Sequence, residues 1–241
     1  VGMATNMPPH NLVEVVAAAT GRVADQVEAL GTLAANESVS VAPEIAGRIT
    51  AFRFTEGETV EQGTVLVELD ATIARAEQEQ ARAALALAED VFERNRTLVQ
   101  RGAGTQVNLE QATAQLATAR ANVAASAARL EKLTINAPFR GVVGLRSVSV
   151  GTIVQPGQAI ATLAGVDPVK LDFGVPELFL SAVRVGQSVD VTVDAVPGRR
   201  FQGQVYAIDP IGDPAGRALR LRATIPNADG ALRPGLFARV S

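Results

Sequence analysis

Apolar and polar positions along this 241-residue chain follow two rhythms, and the change from one to the other near residues 71 and 133 is abrupt. Outside those limits apolar residues alternate with polar ones in short runs such as Gly47 to Phe54, bounded by glycine turns like the one centred on Glu56-Gly57-Glu58. That pattern predicts short β-strands. Between Ala71 and Leu133 the chain turns to Ala, Glu, Gln, Arg and Leu without a proline, a helical composition. In its downstream half Leu109, Ala112, Leu116, Ala119, Val123, Ser126, Leu130 and Leu133 step alternately by three and four, which is a heptad seam. The upstream half carries Ala74, Gln78, Ala81, Leu85, Ala88, Phe92, Asn95 and Val99 in the same rhythm. There Ala84, Leu87, Val91 and Leu98 flank the seam, predicting a stripe wider than one seam.

Asp70 suits the N-cap of the first helix, Gly102 the position after its end, and Thr105 the N-cap of the second. The connection Arg101 to Thr105 is short enough to force the helices antiparallel. Helices of roughly 30 residues at 1.5 Å per residue make a rod of about 45 Å. Past Gly165 the strand pattern resumes in VKLDFGV, SVDVTVDAV, RFQGQVYAID, ALRLRATI and LFARVS, interrupted by one short helix predicted from Pro176, as its first residue, to Val183. Strands at this spacing predict an antiparallel barrel, which a strand around Val23 to Leu33 would complete.

An internal repeat links the two strand regions that flank the helices. VAPEIAGRITAFRFTEGETVEQGTVLVELD, from Val41, matches NAPFRGVVGLRSVSVGTIVQPGQAIATLAG, from Asn136, and from the first shared glycine the offset is a constant 94 (141 − 47). Gly47 meets Gly141, Gly57 meets Gly151, and Gly63 meets Gly157; Ile49 meets Val143, Val60 meets Val154, and Leu66 meets Ile160. The six glycines read as structural turn residues, supplying positive φ where the chain reverses. A half of this size cannot bury both faces of its hairpins alone. The expectation is a small β-sandwich of two halves packed face to face, with the helices looped out between them.

Composition narrows the chemistry. With 47% hydrophobic and 20% charged residues and a net charge of −3, the chain can bury a core. Aromatics at 4% and the absence of a basic footprint argue against nucleic-acid binding. One histidine and no cysteine exclude zinc fingers, thiol nucleophiles and disulfides. The acidic residues show no paired arrangement for general acid and base work, and none of the glycines sits in a strand-to-helix phosphate-binding context. No enzyme activity and no cofactor are expected. Met3, Met7 and His10 could together hold Cu(I); their place beside Pro8 and Pro9 also fits an ordinary chain terminus. No window reaches 18 uninterrupted apolar residues, and no charged segment followed by an apolar one opens the chain, so neither a spanning helix nor an export signal is expected within it. The start at Val1-Gly2-Met3 suggests a trimmed chain.

The two-half repeat with its APxxG starts, the Ala-rich insertion, KLTINAPFRGVVGLR at the return and LDFGVPELFL leading into the barrel together resemble periplasmic adaptor proteins, or membrane fusion proteins, of the HlyD-like family serving resistance, nodulation and division (RND) multidrug efflux pumps. The resemblance implies a mainly β fold with a long α-helical hairpin: a lipoyl-like barrel-sandwich hybrid from 39–70 and 134–166, a coiled-coil hairpin at 71–133, and a β-barrel from 23–38 and 167–241. It further implies that 1–22 is a remnant of a membrane-proximal domain, with a strand near Asn11 to Gly21. The implied partners are an inner-membrane RND transporter, a TolC-type outer-membrane channel and further copies in a ring of six. The implied location is the periplasm, with an inner-membrane anchor outside this chain.

In many members the hairpin tip carries Arg, then Leu four residues on, then Ser seven beyond. Here Arg94, Leu98 and Thr105 hold that spacing, with Thr for Ser. Arg94 would grip carboxylates or carbonyls of a channel helix and Leu98 would fill an apolar groove, with Thr105 adding a hydrogen bond. The same residues also fit a surface pair with Asp90, a seam position and a helix cap.

Service to an ABC-type or heavy-metal exporter is the alternative within the family. A lipoyl or biotinyl carrier is the alternative outside it, but it needs a lysine at an exposed tip joining the halves. The chain's lysines are Lys132, at the end of the second helix, and Lys170, in the barrel.

Overall fold

A computed structural model of the chain describes residues 28–211 and 218–241. Strand β1 (Ala29–Ala34) is followed by β2 (Glu37–Val41), β3 (Gly47–Phe52), β4 (Thr59–Val60) and β5 (Val65–Leu69). Helices α1 (Thr72–Gln100) and α2 (Gln106–Glu131) come next, then β6 (Thr134–Asn136), β7 (Gly141–Val143), β8 (Ile153–Val154) and β9 (Ala161–Gly165). The chain closes with β10 (Val169–Pro176), β11 (Ser188–Val193), β12 (Arg200–Ile208), β13 (Ala218–Ile225) and β14 (Phe237–Val240). The fold is mainly β, with a barrel, a barrel-sandwich and two helices.

The barrel closes in the order β1-β10-β13-β12-β11-β14, all neighbours antiparallel. Closure removes free strand edges. In β10 the inward residues Val169, Leu171, Phe173 and Val175 are buried while their neighbours face outward, the period-2 alternation of a strand lining a core. Asn227 is the buried polar side chain among the described residues; its amide donates to the carbonyls of Val166 and Leu232 and accepts the Leu232 N–H, so no polar atom there is left unpaired. Two expectations are corrected. Pro176 does not open a helix: it ends β10, in register with Ala218, and a 3₁₀ turn follows over Glu177–Ala182. Proline lacks only the N–H, so it is tolerated at a strand's end. The strand expected around Val23 to Leu33 is β1, displaced toward Ala34; 23–27 lie outside the described residues, as do Met3, Met7, His10 and the strand expected near Asn11 to Gly21.

Two four-stranded sheets, β2-β9-β7-β4 and β6-β5-β3-β8, form the sandwich. Strand for strand these orders are related by the repeat. The halves do not pack face to face as whole units: each sheet takes its outer strands from one half and its inner strands from the other. The turns at Gly57 and Gly151 cause the interlocking by sending each half across from one sheet to the opposite one. Gly57 donates to the Val143 carbonyl and Gly151 to that of Ile49, both at 2.8 Å. Ile49, Val143, Val60, Val154, Leu66 and Ile160, three repeat-matched pairs, are all buried in one core.

The glycines divide into two kinds. Gly57, Gly63, Gly151 and Gly157 have φ between 77° and 89° and open space around them. Gly47 and Gly141 are not turn residues. They lie within β3 and β7, where neighbouring chains approach closely: a Cβ on Gly141 would sit 2.6 Å from the Ala164 carbonyl oxygen, and one on Gly47 3.1 Å from a Leu69 methyl.

The helices run antiparallel, as the cross-helix ion pairs Glu89–Arg120 (3.5 Å) and Glu77–Arg129 (3.1 Å) require. Ala112, Leu116 and Ala119 of the α2 seam are buried, while Ala74, at the base of α1, is buried in the sandwich core. Leu87 remains 65% exposed, so α2 covers a single seam and the wider stripe of α1 is left open. At the base, the Leu69 N–H donates to the Leu133 carbonyl at 2.8 Å and brings entry and exit together. The first cap is shifted by one residue. Ala71 occupies the N-cap, and Asp70 reaches forward to accept both the Thr72 N–H (3.0 Å) and its hydroxyl (2.7 Å).

Candidate docking site at the helix tip

The tip is shaped by local backbone chemistry. Gly102 takes φ +72°, its N–H donates to the Val99 carbonyl, and Ala103 donates to Leu98. This doubly bonded ending satisfies carbonyls that the last turn of α1 leaves open. Gly104 then folds back on Leu98, where a Cβ would lie 3.0 Å from the leucine Cβ. Thr105 opens α2 in extended conformation, its hydroxyl oxygen accepting the Asn108 N–H at 3.3 Å.

Arg94 and Leu98 sit one turn apart on α1 and line a shallow concavity of about 460 Å³, together with Asp90, Glu93, Thr97 and Arg101. Leu98 is 39% exposed. Glu93 is taken by Arg96 (3.3 Å), and Thr97 donates its hydroxyl to the Glu93 carbonyl. Arg94 forms no ion pair among the described residues: the pairing with Asp90 that its spacing allows is not made. Its guanidinium therefore keeps a full set of donors beside an apolar surface, an arrangement suited to carboxylates or helix-end carbonyls. Thr105 does not line this concavity. Its oxygen is occupied as a cap, leaving the hydroxyl proton for a partner. Sequence reasoning named Asp90 only as a pairing partner of Arg94 and missed Thr97 and Arg101 as lining residues; with Arg94 the three step by four, three and four on a face outside the seam, which was the available signal.

Neither lysine occupies a carrier position. Lys132 pairs with Glu44 at 2.9 Å, and Lys170 donates to the Asn36 carbonyl. No group of three or more metal-ligating side chains occurs among the described residues, and no helix there is long and apolar enough to cross a membrane.

The model for "RND MFP, barrel-sandwich hybrid domain" matches residues 37–165, which is more than half of the chain, and that for "CusB-like, beta-barrel domain" matches 168–241. The chain belongs to the RND membrane fusion proteins. Among curated relatives it is similar to the nodulation protein NolF of Rhizobium meliloti, at 31% identity over 89% of this chain and 62% of NolF. It is also similar to the multidrug resistance protein MdtE of Escherichia coli, at 30% identity over 93% of this chain and 66% of MdtE. The chain thus spans less than two thirds of these relatives' length. In fold, it resembles a MacA-MexA chimeric protein containing the Pseudomonas aeruginosa MexA alpha-hairpin domain: the TM-score is 0.79 at 23% identity, covering 89% of this chain and 79% of the chimera.

Proposed function

We propose that this membrane fusion protein is the periplasmic adaptor of a tripartite efflux pump, bridging an inner-membrane RND transporter to a TolC-type outer-membrane channel. In this reading 39–70 and 134–166 form the lipoyl-like domain and 71–133 a projecting coiled-coil hairpin; 23–38 and 167–241 form the barrel that faces the transporter. In this reading the protein is tethered to the inner membrane.

The observation that carries the reading is the tip: an arginine free of ion pairs among the described residues beside a half-exposed leucine, at the far end of helices 29 and 26 residues long. In this reading the helices meet the body of the protein at their base, where Ala74 and Leu130 pack against the sandwich core, and the tip is left for another molecule. Arg94 would fork onto carboxylates or carbonyls of a channel helix while Leu98 fills an adjacent groove.

The test is complementation of drug resistance in a strain lacking its own adaptor, using a full-length protein that contains this chain. Arg94→Asp reverses the charge at a side chain with no ion pair or hydrogen bond among the described residues, so it is expected to abolish resistance while leaving the melting temperature nearly unchanged. Unchanged resistance in a well-expressed Arg94→Asp protein would overturn the docking role.

A further inference from the structure

The tip concavity holds a second arginine, which the spacing of Arg94, Leu98 and Thr105 leaves out. Arg101 lines it together with Arg94 and Leu98. An arginine at the end of a helix has an ordinary explanation, because a cation there offsets the partial negative charge of the last carbonyls and can donate to them. Here the main chain has already taken that role. The Thr97 carbonyl accepts the Arg101 N–H at 3.1 Å and the Val99 carbonyl accepts from Gly102 at 3.0 Å. The Leu98 carbonyl accepts from both Ala103 and Gly104, at 2.9 and 3.1 Å. The Arg101 side chain forms no ion pair and no hydrogen bond among the described residues. Arg96, between the two, is spent instead on Glu93 at 3.3 Å.

Arg94 and Arg101 are seven residues apart, two turns along one face of α1, which separates them by about 10 Å along the axis. Leu98 lies between them, 39% exposed. Asp90 also lines the concavity without an ion pair among the described residues, but it is eleven residues from Arg101. That is about 16 Å along the axis, past the screening length of about 8 Å at physiological salt. Two like charges held in this way gain nothing from each other in the free protein.

The separation decides what can satisfy them. The free carbonyls at a helix end are gathered within about one turn, 5.4 Å. They could meet one of these arginines and not both. Two carboxylates two turns apart on a partner helix match both, each taken by a guanidinium fork.

We infer that Arg101 is a second determinant of channel docking, and that the surface it meets is a helix of the outer-membrane channel carrying two carboxylates about two turns apart with an apolar side chain between them. The inference rests on the channel-docking reading and sharpens it, since a single carboxylate or carbonyl contact would leave Arg101 unused.

Arg101→Glu, Arg101→Ala and Arg101→Lys are compared in a full-length protein that contains this chain, by drug resistance in a strain lacking its own adaptor and by melting temperature. Arg101→Glu is expected to lower resistance several-fold with helical circular dichroism and melting temperature unchanged, and Arg101→Ala to fall between it and the parent. Arg101→Lys keeps the charge without the fork and should retain most of the resistance. Full resistance in a well-expressed Arg101→Glu protein would overturn the inference. Paired with loss of resistance in Arg94→Asp, that result leaves docking through one cation standing; full resistance in both variants removes the docking reading itself.

The channel supplies the second test. Mutagenised channel genes are selected for restored resistance beside Arg101→Glu and, separately, beside Arg94→Asp. Both selections are expected to return acidic-to-basic replacements, at two different positions about two turns apart on one channel helix. A single channel replacement that restores both adaptor variants would overturn the paired pattern. So would a selection covering every acidic codon of the channel that returns no acidic-to-basic change for Arg101→Glu.

Discussion

Phe52 and Arg146 occupy equivalent positions of the two sandwich halves, yet they meet: the Arg146 guanidinium carbon lies 5.3 Å from the centre of the Phe52 ring. Two residues 94 apart in the repeat can touch only where the pseudo-two-fold axis passes between them. An axis forces identical residues into self-contact, and here it is relieved by making the pair unlike, a cation over an aromatic face. The Arg146 N–H also donates to a Glu56 carboxylate oxygen at 2.9 Å, and Phe54 packs edge-on to Phe52 with ring centres 5.7 Å apart.

The pair should therefore be coupled. Phe52→Leu, Arg146→Gln and the double variant, compared by denaturant unfolding, are expected to show about 0.5–1 kcal/mol of coupling, the range of exposed cation–π contacts. Additive effects would mean that the ring and the guanidinium are neighbours without mutual attraction.

Alanine substitutions at the glycines should separate the two roles that sequence alone merged. At Gly141 the added methyl meets the Ala164 carbonyl group, main chain in the middle of a sheet that cannot yield. The cost should be about 2–3 kcal/mol, as for overpacking. At Gly57 nothing lies within 4 Å, and the penalty comes from φ of +83° alone, about 1 kcal/mol. Thermal unfolding of the two variants should rank Gly141→Ala well below Gly57→Ala; the reverse order would place the strain in the turn.

Much of this fold was legible because glycine and heptad spacing report backbone geometry directly. The helix limits follow from composition and caps, and the offset of 94 between Gly47 and Gly141 extends to β2 and β6: Val41 pairs with Ala161 as Ile135 pairs with Val67. The Ala-Pro starts mislead here, since the first half reads APEIAG and the second APFRG. They align Pro43 with Pro138, whereas the structure makes Pro43 equivalent to Ala137, since their carbonyls accept from Gly157 and Gly63 respectively. Three residues lie between Pro43 and Gly47, and two between Pro138 and Gly141. Which strand of which half fills which sheet was not legible, because period-2 alternation gives a strand's buried face and not its partner. At the tip, the Arg94 spacing was visible in sequence. The absence of an ion pair to Asp90 was not, because rotamer choice on an exposed helix face leaves no trace in residue order.

Acid should destabilise the protein through a small set of exposed carboxylates. The hydrogen bond from Arg53 holds Glu68 below the ordinary glutamate value, the Thr72 hydroxyl and N–H do the same for Asp70, and Arg199 for Asp229. A carboxyl whose folded value is depressed contributes stability that is fully present above its unfolded value and is lost as pH falls through the folded one. The loss should begin near the ordinary carboxylate value of about 4 and deepen below it. The combined variant Glu68→Gln, Asp70→Asn, Asp229→Asn should be less stable than the parent at neutral pH and should lose less on acidification. Parallel curves of melting temperature against pH would show that these bonds form equally in the unfolded chain.

The last expectation concerns the independence of the helices from the sheets. Leu69 and Leu133 are joined by a main-chain hydrogen bond of 2.8 Å, so the chain enters and leaves the helical segment at almost one point. Replacing 72–131 by two or three glycines closes a short loop, and loop-closure entropy changes only slowly with length. The body loses the packing of Ala74 and Leu130 against the sandwich core, together with the Lys132–Glu44 pair if the new turn displaces it. Those losses should cost about 1–3 kcal/mol, the usual range for small core truncations. The shortened chain should keep its β circular-dichroism signal and unfold cooperatively at a lower temperature, while the helical signal disappears. Loss of cooperative unfolding would mean that the helices nucleate the sandwich, and that the two interlocked halves cannot find each other without the antiparallel pair that returns the chain to its starting point.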